Sequence, residues 1–311
     1  MGSQTELPRI PIIDFSKEEL KLAASSSWLS LCNQIQYALE NHGCFIAKYD
    51  QLSPELSKKI FSQTKDMFEV PTEIKMKNTS HVPYRGYHTG PSDPNMPRFE
   101  GLGIDNATSL EETQKFMNLM WPAGKDQLCE VVNSYAKLLG DLIEFIYEMV
   151  FESYGARKHY ASFAASNSHV LRFLKLKPKD ASLTTNIRFQ SHKDLSFATI
   201  VHQIDIPGLE VQAKDGTWIA IQPQPSHFVF LASEAMQKVT CEKKMGSQTE
   251  LHQIPVIDFS EEDLKPAASS SWLSLCNQVQ YALENHGCFI AKYDQLSPKL
   301  SKKILAKPRI C

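Results

Sequence analysis

His192, Lys193 and Asp194 stand together just ahead of an apolar run, Phe197 to Gln203. Non-haem iron(II) oxygenases hold their metal with two histidines and one carboxylate on a single face, leaving the other positions open for co-substrate and oxygen. A His-x-Asp at the lip of a sheet supplies two of those three donors, although the tripeptide is a weak signal in isolation. Other histidines compete for attention. His202 closes the same apolar run and could face the interior of a barrel. His227 alternates with apolar neighbours at the start of another run and reads as a surface or rim residue. His42 and His286 occupy equivalent helix ends, where a histidine interacts well with the terminal carbonyls. None of the seven cysteines falls in a CxxC pair, so buried, reduced thiols are expected rather than a sulfur-bound metal.

The elements that must carry these residues change character along the chain. Ile10 to Phe15 suits an edge strand because of its proline. A helix follows, with Ser26 or Ser27 as cap, an apolar stripe through Trp28, Leu31, Ile35, Ala38 and Leu39, and Gly43 as a left-handed stop. Cys44 to Tyr49 reads as a strand, and Ser53-Pro54 opens a second helix that ends before Pro71. Residues 81–110, rich in Gly, Pro, Ser and Asp, read as a loop. The longest helix is predicted from about Asp126 to Tyr154, closed by Gly155. From His169 the chain turns to short runs of strand type: His169 to Lys177, Thr199 to Gln203, Leu209 to Ala213, Trp218 to Ile221 and His227 to Ala232, with Asp215-Gly216 as a hairpin turn. Helices first and antiparallel strands second predict an α+β fold. Its sheet should be an incomplete jelly roll backed by the N-terminal helices.

Bulk properties narrow the function. A net charge of −2 provides no basic field for a phosphate backbone, so no nucleic-acid partner is expected. No apolar run approaches the roughly 20 residues of a membrane helix, and the N-terminus lacks a leader pattern, so no membrane association and a cytoplasmic location are expected.

An internal repeat outranks every local motif. Met245 to Ile304 repeats Met1 to Ile60 at a constant offset with eight mismatches: Pro8, Arg9, Ile12, Lys17, Glu19, Leu22, Ile35 and Glu55 face His252, Gln253, Val256, Glu261, Asp263, Pro266, Val279 and Lys299. Solenoid repeats are shorter and more divergent. The pattern is that of a tandem fusion, either transcribed as such or produced by two genes wrongly joined. Three regions follow: 1–110, an N-terminal region; 111–240, a linking helix and partial barrel; and 241–311, the duplicate with a short tail. Because the duplicate matches the docking surface of residues 1–60, domain-swapped self-association is a further expectation.

Several runs resemble the plant 2-oxoglutarate/Fe(II)-dependent dioxygenases: Ile10-Pro-Ile-Ile-Asp-Phe-Ser16, Asn41-His-Gly-Cys-Phe45, Val70-Pro-Thr-Glu-Ile-Lys75, Tyr84-Arg-Gly-Tyr87, Trp121-Pro122, Leu171-Arg-Phe-Leu-Lys175, His192-Lys-Asp194, Gly208-Leu-Glu-Val211, Asp215-Gly-Thr-Trp218 and Pro225-Ser-His-Phe228. The wording is nearest to the branch of the glucosinolate side-chain dioxygenases, and the resemblance covers residues 1 to about 240. It implies a double-stranded β-helix, Fe(II) and 2-oxoglutarate as cofactors, a small-molecule substrate, and His192 and Asp194 as the first two iron ligands.

The departures from that family are as informative. The family's second iron-binding histidine and its Arg-x-Ser grip on 2-oxoglutarate should follow Lys238, where this chain has Thr240-Cys241-Glu242-Lys243-Lys244 and then the repeat. Leu176 and Lys177 stand where many relatives have a co-substrate tyrosine, and Lys193 stands where they favour a small residue. The resemblance therefore implies a dioxygenase lineage that is inactive in this form. Two alternatives are an active dioxygenase whose true C-terminal part was lost when genes were wrongly joined, and a non-catalytic binding or dimerisation module.

Overall fold

Ser25, one residue ahead of the two serines the sequence offers as caps, accepts a hydrogen bond from the backbone N–H of Trp28 and starts helix α1, Ser26–His42. The computed structural model describes residues 9–16, 25–80, 82, 85–89, 99–176, 191–194, 196–204, 206–237, 256–258, 274–281 and 290–292. Gly43 ends α1 at φ 70°, a left-handed conformation that glycine adopts without strain. Ser53 caps α2, Pro54–Glu69, with proline in its first turn, and a short α3, Thr72–Lys75, follows Pro71. The predicted long helix is present as α5, Asp126–Ser153, with Gly155 at φ 62° just beyond it. Three helices had no counterpart in the sequence: the short α3, then α4, Leu110–Met120, and α6, Arg157–Ser166. No helix among the described residues is long and apolar enough to cross a membrane.

A four-stranded sheet is built in the order β1 (Ile12–Asp14), β2 (Cys44–Lys48), β9 (His227–Ala232), β6 (Ala198–His202). β1 lies at the edge, parallel to β2, where a strand containing a proline neighbour is tolerated. Strand alternation assigns the two faces of this sheet. Phe45, Phe230 and Ile200 lie in one row across the sheet, and Ala47, Phe228 and His202 in the next. These rows pack on the helical layer, in the same core as Trp28, Tyr135, Ile146 and Tyr147. The intervening rows, Cys44-Leu231-Thr199 and Ile46-Val229-Val201, face the other way. Their apolar members meet the hairpin of β7 (Glu210–Gln212) and β8 (Trp218–Ala220) through Val211, Ile219 and Ile221. Gly216 turns that hairpin at φ 87°, next to Asp215 as the sequence indicates.

The reading of 81–110 as a loop is corrected. This stretch contains β3 (His88–Thr89) and β4 (Phe99–Asp105), and β4 pairs along its whole length with β5 (Val170–Leu176). Two glycines made β4 look irregular, and both are required by close packing. A Cβ on Gly103 would lie 1.6 Å from the carbonyl oxygen of Arg85, and one on Gly101 would lie 2.5 Å from the ring of Phe99. Leu102, Ile104, Leu171 and Phe173 turn toward the helical core, so Phe99, Gly101, Gly103, Arg172 and Leu174 face away from it.

Among the described residues these strands form separate sheets of four, three, two and two strands. The chain divides into two compact units, Met1–Lys243 and Lys244–Cys311. In the second, β10 (Val256–Asp258) pairs in parallel with β11 (Ile290–Lys292), setting Val256 against Ile290, Ile257 against Ala291 and Asp258 against Lys292. This is the register in which Ile12, Ile13 and Asp14 meet Ile46, Ala47 and Lys48.

Candidate metal centre

Asp194 lies at the entrance to β6, on the side of the sheet away from the helices. Two backbone bonds tether its loop to the end of β9: the N–H of Glu234 donates to the Asp194 carbonyl at 2.9 Å, and that of Ser233 to Phe197 at 3.2 Å. The hydroxyl of Thr199, which faces away from the helical core, donates to Oδ2 of the Asp194 carboxylate. That leaves Oδ1 directed at the His192 ring, 3.3 Å from its Nε2. The bond from His192, reinforced by Thr199 and by the positive charges of His192 and Arg172, holds the Asp194 carboxyl below the usual carboxylate range although burial opposes this. An ionised carboxylate beside an imidazole nitrogen is a donor set suited to a first-row divalent metal.

The spacing also fits. Such donors bind first-row metals at about 2.1 Å, so two adjacent octahedral positions place them about 3 Å apart. Half the His192 side chain is exposed, which leaves the pair accessible from solvent. No third His, Cys, Asp or Glu joins the pair to form a metal cluster among the described residues. The fit to iron is therefore that of two donors.

The other histidines lie elsewhere. The expectation that His202 could face the barrel interior is corrected by the register, which puts it on the helix side, four residues of strand or about 13 Å along β6 from Ala198. There Tyr135 of α5 meets its Nδ1 at 2.9 Å, and its ring packs on Phe228 and Phe61 at centroid distances of 4.5 and 5.1 Å. Burial lowers its pKa to about 4. His227 bonds the Pro225 carbonyl through Nδ1 and lines a small cleft with Ile46, Val201, Gln203, Ile221 and Val229, at the far end of the sheet from Asp194. His42 sits in the last turn of α1 beside Tyr37. His286, Lys177 and the residues after Lys238 that precede β10 lie outside the described residues. Leu176 closes β5, 37% exposed.

The sequence reading passed over one residue of this neighbourhood. Arg172 belongs to no metal-binding pattern, but the pairing of β4 with β5 turns it to the side of the sheet away from the helical core, within electrostatic reach of Asp194.

Residues 10–123 match the family described as the non-haem dioxygenase in morphine synthesis N-terminal region, and residues 165–262 match the 2OG-Fe(II) oxygenase superfamily. The chain is 31% identical over 233 residues to a probable 2-oxoglutarate-dependent dioxygenase, AOP1.2, of Arabidopsis thaliana, covering 73% of this chain and 70% of that protein. It is 24% identical to the Arabidopsis 2-oxoglutarate-dependent dioxygenase AOP3, covering 76% and 79%. Among solved structures, Arabidopsis dioxygenase for auxin oxidation 1 in its 2-oxoglutarate complex matches with a TM-score of 0.63 and 25% identity, over 73% of this chain and 81% of that one. The dioxygenase for auxin oxidation of rice matches in fold, with a TM-score of 0.57 and 22% identity over 74% of this chain and 73% of that one.

Proposed function

The chain belongs to the plant 2-oxoglutarate/Fe(II)-dependent dioxygenase family, and on that premise we propose that it descends from an enzyme oxidising a small plant metabolite, keeps His192 and Asp194 as iron ligands, and does not turn over in this form. The observation that carries this reading is the 3.3 Å pairing of His192 Nε2 with an ionised Asp194, with no third His, Cys, Asp or Glu joining it among the described residues. Two protein ligands leave the open face of the iron without a fixed orientation. The Arg-x-Ser that grips 2-oxoglutarate in the family has no counterpart after Lys238. Charge-assisted bonds to a carboxylate contribute roughly 1.5–3 kcal/mol each, so losing a two-bonded arginine weakens the co-substrate by orders of magnitude. Iron(II) calorimetry under argon tests the ligand assignment. Weak iron binding that disappears in His192→Ala is expected; equal binding by the two proteins would move the metal away from His192. The superfamily match runs to residue 262 and so takes in His252, which replaces Pro8 of the first copy. If His252→Ala lost iron binding as completely as His192→Ala, the two-ligand reading would be wrong.

The repeat supports a second reading, self-association. Of its mismatches at described residues only Ile35→Val falls on a buried one; Arg9, Ile12 and Glu55 are exposed there, and Pro8, Lys17, Glu19 and Leu22 lie outside the described residues. Residues 245–304 thus keep the side chains with which residues 9–60 dock on α5 and β9, and can replace them on another molecule. Light scattering on the full chain and on residues 1–244 tests this: a concentration-dependent dimer lost on truncation is expected, and monomers in both cases would rule the exchange out.

A further inference from the structure

Arg172 is half-buried, and among the described residues it forms no ion pair. Its Nε is wholly shielded from solvent and has no hydrogen-bond partner, and among the described residues no carboxylate lies within ion-pair distance of the side chain. It stacks over the buried ring of Phe99, 5.8 Å from the centroid. An arginine desolvated to this degree is normally paired, because an unmatched buried charge destabilises the fold. Here desolvation acts to lower the Arg172 pKa, and Asp194 opposes it only from a distance.

The surroundings of Arg172 are apolar and open. On the same face of β5 the next two outward residues are Leu174 and Leu176, 53% and 37% exposed. Exposed leucines beside a half-buried cation without an ion-pair partner form a surface that is complementary to an apolar body bearing one anionic end. The planar guanidinium, with its two terminal nitrogens, suits the two oxygens of a carboxylate.

We propose that Arg172 anchors the carboxylate of a small amphipathic acid whose apolar body lies over Leu174 and Leu176, on the side of the β4–β5 sheet shared with His192 and Asp194. The site is made of first-unit residues alone and needs neither iron nor oxygen. Its failure therefore leaves the assignment of the iron ligands intact, and loss of iron binding leaves this subsite intact.

The test is binding of hexanoate, hexanol and 2-oxoglutarate to the full chain, read by calorimetry and by the melting temperature at pH 7.5. Hexanoate is expected to bind and raise the melting temperature, hexanol to do neither, and 2-oxoglutarate to bind more weakly than hexanoate. Arg172→Met should weaken hexanoate on the order of tenfold or more. Without ligand the same variant should melt higher than the parent, since it removes a buried donor that has no partner. Arg172→Lys keeps the charge but not the fork; it should fold and bind hexanoate more weakly than the parent does. Hexanoate binding unchanged in both variants would overturn the proposal. So would a parent protein that responds to 2-oxoglutarate and not to hexanoate, because the cation would then serve the co-substrate.

Discussion

Replacing Glu100 with alanine while leaving Lys75 in place should destabilise the protein by about 3–5 kcal/mol, because it strands a charge inside the fold. Lys75 of α3 and Glu100 of β4 are 4% and 8% exposed and form an ion pair. The ammonium also donates to the Phe68 carbonyl at 2.7 Å and lies 5.5 Å from the centre of the Tyr87 ring. The Tyr87 hydroxyl donates to the same Glu100 oxygen at 3.0 Å, and burial together with this neighbour pushes its pKa up to about 12. A shared network of this kind predicts strong non-additivity. The double variant Lys75→Met/Glu100→Leu should recover most of the loss, leaving a coupling of about 2–4 kcal/mol in a urea-unfolding cycle at pH 7. Two single-variant losses that simply add would show that the pair is not a unit. The pair matters to the candidate site because it fixes β4, and β4 holds the strand that presents Arg172.

The second large effect is a loss of stability in mild acid caused by His202. Its folded-state pKa is lowered by burial from 6.5 to about 4. Between those values the unfolded chain binds a proton that the folded one refuses, so stability falls as the pH falls. The contribution is complete above pH 6.5, shrinks through the window down to about pH 4, and does not change further below it. The shift corresponds to about 3 kcal/mol across that window. His202→Gln keeps a polar partner for the Tyr135 hydroxyl and removes the titration. Urea unfolding at pH 7 and pH 5 should therefore show a smaller difference for the variant than for the parent. An identical difference in the two proteins would place the acid sensitivity elsewhere, with the carboxylates.

The parts of this fold that could be read from the sequence are those in which local chemistry and tertiary environment agree. The stripe of α5, the Ser53-Pro54 start of α2, the Gly43 stop and the Asp215-Gly216 hairpin each follow from their own residues. β4 did not follow, because Gly101 and Gly103 look like loop residues until the ring of Phe99 and the backbone of Arg85 are seen to occupy the space a side chain would need. The His192-Lys193-Asp194 motif was readable as a donor pair, and the structure brings its nitrogen and oxygen together. The direction of His202 was not readable. Only the register of β6 against β9, which sets His202 opposite Phe228, decides which side of the sheet it occupies. Arg172 was hidden for a similar reason: a charge in the middle of a strand signifies something only once its neighbours are known to leave it unpaired.

The reading of the centre as a pair of ligands without turnover is tested most directly by oxygen-dependent release of succinate from 2-oxoglutarate by the purified full chain supplied with iron(II). The account predicts no iron-dependent succinate above the protein-free rate. Iron-dependent succinate that vanishes in His192→Ala would contradict it, and would mean that a third ligand completes the site.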